Sequence, residues 1–278
     1  MILDGKIFQK EILDSIKARI KKIKDKIVLG IVLVGENEES LKFISEKKKI
    51  ADILNIEVRI YKLDENIKKR KLREFIKNLI RRKYPQGVLI QLPLPNHLNE
   101  QYFLNALWKK DIEALSKRKI GEFFSNFNIN VINPPAVKAL DFILNKIDFD
   151  PKDKIALVLG YGKLVGRFIC HYLRERKANV ISIHRIDETT RDFLKRADVI
   201  VSGVGCPKIV DDCKDGAILI DFGYKIINGK IYGDLDIEKI NKKALYYTPT
   251  PGGTGPILIA MLFENLVKLV EENSFRDS

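Results

Sequence analysis

Cysteine, histidine, methionine and tryptophan are all scarce in this sequence, at three, three, two and one of 278 residues. Cys170, Cys206 and Cys213 are odd in number and form neither a CxxC pair nor a metal-ligand spacing. No structural disulfide and no zinc site is expected, and a reducing cytoplasmic setting is the plain reading. His97, His171 and His184 are equally scattered, so no metal is expected from them. No apolar run approaches the roughly 18 residues that a membrane span requires. Met1-Ile2-Leu3-Asp4-Gly5-Lys6 lacks the basic-then-apolar pattern of a signal peptide. With 17 glycines and 10 prolines, the chain also has no collagen-like or low-complexity segment.

What remains is ample material for globular folding. The chain is 45% hydrophobic and longer than one typical domain, so two domains are expected. Its formal charge of +13 is unevenly spread. Residues 1–125 hold 28 Lys and Arg against 17 Asp and Glu, whereas residues 126–278 hold 22 against 20. Such a field favours an anionic partner, although a solvated lysine-rich surface explains it equally. The clusters Lys68-Lys69-Arg70-Lys71 and Arg81-Arg82-Lys83 carry no aromatic interleaving, and neither nucleic acid nor membrane is the expected partner.

Ile7, Ile12, Leu13, Ile16 and Ile20 fall at helical spacing, which predicts an amphipathic helix over 7–24. Ile27 to Val34 is a continuous β-branched run ending at Gly35, the pattern of a buried strand. A helix over 39–54, a strand over Glu57 to Leu63, a helix over 66–82 and a strand over Gly87 to Gln91 follow. The second half repeats the alternation, with a helix over 135–146 and strands at Lys154 to Leu159, Asn179 to Ile183, Val199 to Ser202 and Ala217 to Asp221. Helices are expected at 164–176 and 256–271. Strands alternating with helices predict an α/β fold with parallel sheets. The boundary is placed near 120–135, where nothing resembles a linker and a continuous helix is expected to join the domains.

Leu157-Val158-Leu159-Gly160-Tyr161-Gly162-Lys163-Leu164-Val165-Gly166 reads as strand, glycine turn and helix. Gly160 permits the turn, Gly162 lets a pyrophosphate approach the backbone, and Gly166 allows close helix–strand packing. The pyrophosphate would rest on the helix N-terminus. The spacing is GxGxxxG rather than the usual GxGxxG, and its position inside a βαβ pattern gives it weight. The next strand ends in Ile183-His184-Arg185, where an NAD site usually has an acidic residue. A cation there suits a 2′-phosphate and favours NADP, while Asp187 keeps NAD open and an ordinary surface arginine is the plainer alternative.

Three further segments complete the pattern: Ser40-Leu41-Lys42-Phe43-Ile44-Ser45-Glu46-Lys47, Val88-Leu89-Ile90-Gln91-Leu92-Pro93-Leu94-Pro95, and Tyr247-Thr248-Pro249-Thr250-Pro251-Gly252-Gly253-Thr254-Gly255-Pro256. With the glycine turn and the opening Leu3-Asp4-Gly5-Lys6, their order and spacing resemble the methylenetetrahydrofolate dehydrogenase/cyclohydrolase family over nearly the whole chain. The resemblance implies a substrate domain at 1–125, completed by the helix 256–278, and a Rossmann-type NADP domain at 126–255, with a cleft between them. It implies a homodimer and a folate substrate, and the basic N-terminal half fits a folate carrying a polyglutamate tail. It makes Lys47 the catalytic lysine, Gln91 its assistant and Glu113 a third catalytic group. Phe43, Pro93, Pro251, Gly252 and Gly253 fall in its substrate site. Gly160, Gly162, Lys163, Gly166, His184, Arg185, Gly205, Thr250 and Gly253 fall in its cofactor site.

The sequence departs from the family in places. Phe43 stands where a tyrosine is usual and cannot donate a hydroxyl hydrogen bond. Asp111-Ile112-Glu113-Ala114 matches an Asp-Val-Asp-Gly motif, with Glu113 one methylene longer. Asn133-Pro134-Pro135 stands for Cys-Thr-Pro, Gly162 for a serine and Phe168 for a proline.

Oxidising a methylene bridge needs positioning more than a base, because the neighbouring nitrogen's lone pair expels the hydride. Hydrolysing the methenyl product needs a proton shuttle, for which a lysine of lowered pKa is suited. Adjacent like charges at Lys48 and Lys49 are expected to lower that of Lys47. A solvated lysine face, a strand-end amide and a surface glutamate are the plain alternatives for Lys47, Gln91 and Glu113. Asp221-Phe222-Gly223 reads as a structural strand end. Both activities together are the leading expectation; a dehydrogenase without the hydrolase step, or a non-catalytic NADP- or nucleic-acid-binding protein of the same fold, are the alternatives.

Overall fold

The computed structural model describes residues 1–184 and 187–274. In chain order the elements are α1 (Gly5–Ile20), β1 (Val28–Val34), α2 (Glu38–Ile53), β2 (Glu57–Leu63), α3 (Lys69–Arg81), β3 (Gly87–Ile90), α4 (Glu100–Ala106), α5 (Lys117–Ser125), α6 (Pro135–Lys146), β4 (Ile155–Leu159) and α7 (Gly166–Glu175). They continue with β5 (Asn179–Ile183), α8 (Glu188–Leu194), β6 (Val199–Ser202), β7 (Ile218–Asp221), β8 (Lys225–Ile227), β9 (Lys230–Tyr232), α9 (Ile237–Ile240), β10 (Tyr246–Tyr247) and α10 (Thr254–Ser274). The chain divides into two compact units. The N-sheet unit comprises Glu11–Pro135 with Ile259–Ser278, and the C-sheet unit comprises Met1–Lys10 with Ala136–Leu258.

The N-sheet unit is built on a parallel sheet of order β2-β1-β3. Central β1 is buried at all seven residues, as a strand covered on both faces must be. A parallel bridge between Val88 and Asp111 continues the sheet beyond β3, with Val88 N–H donating to Lys110 O at 2.8 Å. This brings Gln91 and Glu113 to the same, carboxyl edge of the sheet. Ile12, Leu13 and Ile16 of α1 are buried as their spacing predicts, but Ile7, assigned to the same apolar face, is 66% exposed. From α10, Asn265 Nδ2 donates to Ile112 O and Asn133 O, both at 2.8 Å, and Glu271 accepts two hydrogen bonds from Arg19.

The C-sheet unit carries a five-stranded parallel sheet of order β10-β7-β6-β4-β5. Counted from its first strand this is the doubly wound order 2-1-3-4-5. The winding reverses between β4 and β6, so the carboxyl ends of those two strands define the ligand-binding crevice of such a sheet. Leu157, Leu159, Ile200 and Leu219 form its core with Leu194 and Tyr247. The first residues of the chain border β10: Ile2 bridges Tyr247 in parallel, and Leu3 N–H donates to Tyr247 O at 2.8 Å.

The seven expected strands fall within a residue of their bounds, while β8, β9 and β10, of two or three residues each, were not expected. The 120–135 segment also departs from expectation: α5 ends at Ser125 and α6 starts at Pro135, with no continuous helix between them. Asn126, Asn128 and Asn130 favour caps and turns, and Pro134 and Pro135 lack the N–H that a helix interior uses. α7 starts at Gly166 rather than 164, because Val165 still holds a turn conformation at φ −127° and ψ −75°. Among the described residues no helix is long and apolar enough to cross a membrane.

Candidate active site

Asn37 begins α2 by accepting from Ser40 N–H at 2.7 Å, and Glu38 and Glu39 follow in the first turn, where negative charge is favoured. From that start, Ser40, Ile44 and Ala51 are buried. Lys47 lies on their stripe, at the 4-3-4 spacing of one helix face. The chain therefore carries an amine where helix packing calls for an apolar group. Lys47 Nζ donates to Gln91 Oε1 at 3.0 Å and lies 5.8 Å from the centre of the Phe43 ring, one turn earlier. Gln91 directly follows β3 and is itself buried; its Nε2 donates to Leu92 O at 2.9 Å, which fixes the oxygen toward the lysine.

Burial lowers the pKa of Lys47 below the ordinary lysine value, and the charge of Glu113 opposes that shift. Lys48 and Lys49, expected to cause it, are exposed, and Lys49 pairs with Glu46 at 2.7 Å. Desolvation replaces like-charge repulsion as the physical cause. Glu113 is no surface glutamate either. It is half-buried, and the desolvation of its carboxyl pushes the pKa up to about 7, against the attraction of Lys47 and with the help of Asp111. Lys47, Gln91, Glu113 and Phe43 thus form one group in the N-sheet unit, and Pro93 follows two residues after Gln91.

Asp111 entered the sequence reading only as the first residue of the Asp111–Ala114 motif, with no role of its own, yet it holds Glu113. Its buried carboxylate accepts from Glu113 N–H at 3.2 Å and Ser116 N–H at 2.7 Å, closing the turn in which Ala114 takes φ +57°. Lys110 Nζ donates to the carbonyls of Arg82 and Pro85, and burial lowers its pKa to about 8. Nothing in the residue spacing distinguishes Lys110 from a surface charge, and the motif that contains Asp111 does not show its anchoring role; both roles come from the bridge to β3.

In the C-sheet unit the glycine turn leaves β4 at the winding reversal. Gly160 has φ +86°, a region that disfavours side chains, and a Cβ on Gly166 would stand 1.9 Å from Gly160 O. A Cβ on Gly162 would meet nothing within 4 Å, so the chain leaves room beside it. No side chain caps the start of α7; Arg167 N–H donates to Gly162 O at 3.4 Å and Phe168 N–H to Val165 O at 3.1 Å, so among the described residues the Gly166 N–H is the amide left for an anion. These features fit a dinucleotide pyrophosphate. Lys163 and His184 are exposed, His184 just beyond β5, and Arg185 lies outside the described residues. Asp187, the acidic candidate for an NAD ribose, is occupied at the start of α8, where its Oδ1 accepts from Thr190 N–H at 3.3 Å and from Thr190 Oγ1–H at 3.4 Å.

Gly205 has φ +74° and lies in the segment that follows β6. Thr250 Oγ1–H donates to Asp221 Oδ2 at 2.9 Å, and Gly253 is buried. The opening residues secure this loop. Gly5 N–H donates to Gly252 O at 2.8 Å, and a Cβ on Gly5 would sit 1.6 Å from Gly253 O. The likeness of Leu3-Asp4-Gly5-Lys6 to a family start therefore has a steric reason. Pro251 is exposed beside it.

A doubly wound sheet with a glycine turn suited to phosphate, together with a second α/β unit holding a half-buried lysine against Gln91, defines a two-domain dinucleotide-dependent enzyme. Comparison narrows this. The profile of the tetrahydrofolate dehydrogenase/cyclohydrolase catalytic domain matches residues 3–113, and that of the NAD(P)-binding domain of the same enzymes matches residues 134–274. The bifunctional protein FolD of Hydrogenobaculum sp. is 31% identical over 274 residues, which covers 98% of this chain and 99% of that protein. The crystal structure of the bifunctional enzyme FolD, methylenetetrahydrofolate dehydrogenase/cyclohydrolase, from Campylobacter jejuni is 30% identical with a TM-score of 0.93, over 98% of this chain and 99% of that one. A Trypanosoma brucei methylenetetrahydrofolate dehydrogenase-cyclohydrolase complexed with NADP cofactor and inhibitor shares the fold, at a TM-score of 0.92 and 23% identity, over 99% of this chain and 98% of that one. The chain belongs to the tetrahydrofolate dehydrogenase/cyclohydrolase family.

Glu113 makes stability depend on pH with a definite sign. Its folded pKa of about 7 stands above the ordinary 4.5, so its contribution favours folding below about pH 4.5 and is lost as pH rises through 7. Glu113→Gln is expected to stabilise the protein at pH 8 by on the order of 2 kcal/mol and to leave it within about 0.5 kcal/mol at pH 4. Denaturant unfolding at the two pH values checks this; an equal difference at both would show that the carboxyl titrates normally.

Proposed function

We propose that the chain oxidises methylenetetrahydrofolate to methenyltetrahydrofolate with NADP and hydrolyses that product to formyltetrahydrofolate, and that Lys47 serves the second step. The observation that carries the hydrolytic half is the half-buried Lys47 amine, held to Gln91 Oε1 at 3.0 Å and lowered in pKa by desolvation. A neutral amine has a lone pair. It can take a proton from water as the water attacks the methenyl carbon and return it to the ring nitrogen that leaves, while the remaining hydroxyl proton is released to solvent as the formyl carbonyl forms. Gln91 accepts one amine hydrogen and so fixes the direction of that lone pair. Glu113, with its pKa of about 7, stabilises the ammonium form that appears between the two transfers. The loss of the tyrosine hydroxyl at Phe43 removes no group from this sequence of proton movements.

NADP, when bound, supplies the hydride acceptor. Toward it the chain contributes the open backbone at Gly162, the uncapped start of α7 and the exposed His184. The capping role of Asp187 supports NADP over NAD, because it engages the nearest acidic side chain beyond β5 with Thr190 at the start of α8. No protein base is needed for the oxidation, since the substrate's own nitrogen expels the hydride.

Two further readings concern partners. The exposed face of α3 presents Lys69, Arg73, Lys77 and Arg81 at four-residue intervals, which supports a polyglutamylated folate as substrate. The β8–β9 hairpin exposes Ile226, Ile227 and Tyr232, with Tyr224 just before it, and this apolar surface supports a homodimer whose solution mass would be twice that of the chain.

Lys47→Met is expected to lower hydrolysis of the methenyl compound at least a hundredfold while NADP still binds; retained hydrolysis would remove the lysine from the mechanism. In the wild type, methylenetetrahydrofolate should reduce NADP faster than NAD with formyl product appearing. Accumulation of the methenyl compound would instead favour a dehydrogenase alone. Substrate affinity should rise with the number of glutamates and fall with added salt; independence of both would end the tail reading.

A further inference from the structure

Asp234 and Asp221 lie outside the lysine group, in the C-sheet unit, and both are buried. Asp234 gathers the segment after β6 around one carboxylate. Its Oδ2 accepts from Ser202 Oγ–H at 2.6 Å, Val204 N–H at 2.8 Å and Gly205 N–H at 3.3 Å, and its Oδ1 accepts from Cys206 N–H at 2.8 Å. Asp221, at the end of β7, does the same for the loop before α10. Its Oδ2 accepts from Thr250 Oγ1–H at 2.9 Å, while its own backbone N–H donates to Thr248 Oγ1 at 2.7 Å and its carbonyl accepts from Thr254 Oγ1–H at 2.5 Å.

The two sites are linked through the Asp221 carboxylate and by two close glycine approaches. Asp234 N–H donates to Asp221 Oδ2 at 2.9 Å. A Cβ on Gly233 would come within 2.1 Å of Asp221 Oδ2, and one on Gly223 within 1.9 Å of Asp234 Oδ2. Only glycine permits either approach.

Three successive amides converging on one anion form the kind of nest that elsewhere captures phosphate. Here the protein's own carboxylate fills it. The segment 203–206 therefore has no amide of Val204, Gly205 or Cys206 left for a phosphate, and the carbonyls of Val204 and Gly205 accept no hydrogen bond among the described residues. It adjoins the glycine turn: a Cβ on Gly160 would lie 3.1 Å from Gly203 O.

We propose that Asp234 is a positioning residue for the dinucleotide, holding 203–206 so that its carbonyl oxygens face hydroxyl or amide donors of the cofactor while the pyrophosphate stays at the 160–166 turn. Asp221 couples that segment to the Thr250 loop. This rests on the reading of the glycine turn as the NADP site.

Asp234→Asn keeps the shape but puts an NH2 group against amide donors on one side of the carboxylate. NADP affinity, measured by calorimetric titration, is expected to fall at least tenfold, and exchange of the Val204, Gly205 and Cys206 amides in the cofactor-free protein to quicken at least tenfold. Hydrolysis of methenyltetrahydrofolate requires no dinucleotide and reports whether the variant is folded. Ser202→Ala removes one donor without changing charge and should weaken NADP about threefold, a test that survives if the first variant fails to fold. An Asp234→Asn protein that hydrolyses normally and binds NADP within twofold of wild type would overturn the proposal, as would unchanged affinity and exchange in Ser202→Ala. Failure of the wild type to bind NADP would instead remove the reading of the glycine turn.

Discussion

The hydrogen bond from Lys47 to Gln91 depends on, and explains, much of the N-sheet unit. An amine on the buried stripe of α2 is costly when charged, because burial removes its hydration. The fold accommodates it with one neutral acceptor and one acidic neighbour whose own pKa is raised to about 7. Both shifts disfavour the charged form, which is the direction the proposed proton transfers require. Asp111 completes the arrangement from beneath, fixing by two backbone bonds the turn that carries Glu113.

Both units use the same architectural rule, that ligands meet parallel sheets at the carboxyl ends of their strands. They apply it with different materials. The N-sheet unit places side chains there, on α2, after β3 and after the Asp111 bridge. The C-sheet unit places bare backbone there, at the glycine turn, and keeps its carboxylates inside as anchors. The division suits two reactions with different demands, since hydrolysis needs a proton carrier and hydride transfer needs position.

Much of this was legible in the sequence. The buried run at β1, the alternation of strands and helices and the glycine turn follow from periodicity and turn chemistry, and Lys47, Gln91 and Glu113 follow from motifs. What was missed has physical reasons. α4 and α8 are seven residues each, too short for a periodic signal to rise above their polar neighbours. The break at 126–134 was overlooked although its asparagines and prolines mark it. The cause assigned to the lysine's lowered pKa was local in sequence, at Lys48 and Lys49, whereas the true cause is burial, which no residue spacing displays. Asp234 and Asp111 act through backbone amides brought to them by the sheet, and a carboxylate bound to amides leaves no pattern in the chain.

The central claim is that burial, opposed by Glu113, sets the protonation of Lys47. Titration of the Lys47 ε-carbon by NMR, in the wild type and in Glu113→Gln, tests it most directly. The account predicts a midpoint below the ordinary lysine value of 10.5 in the wild type and a lower one in the variant, because the opposing charge is gone. A wild-type midpoint at 10.5, or one that rises in Glu113→Gln, would contradict it.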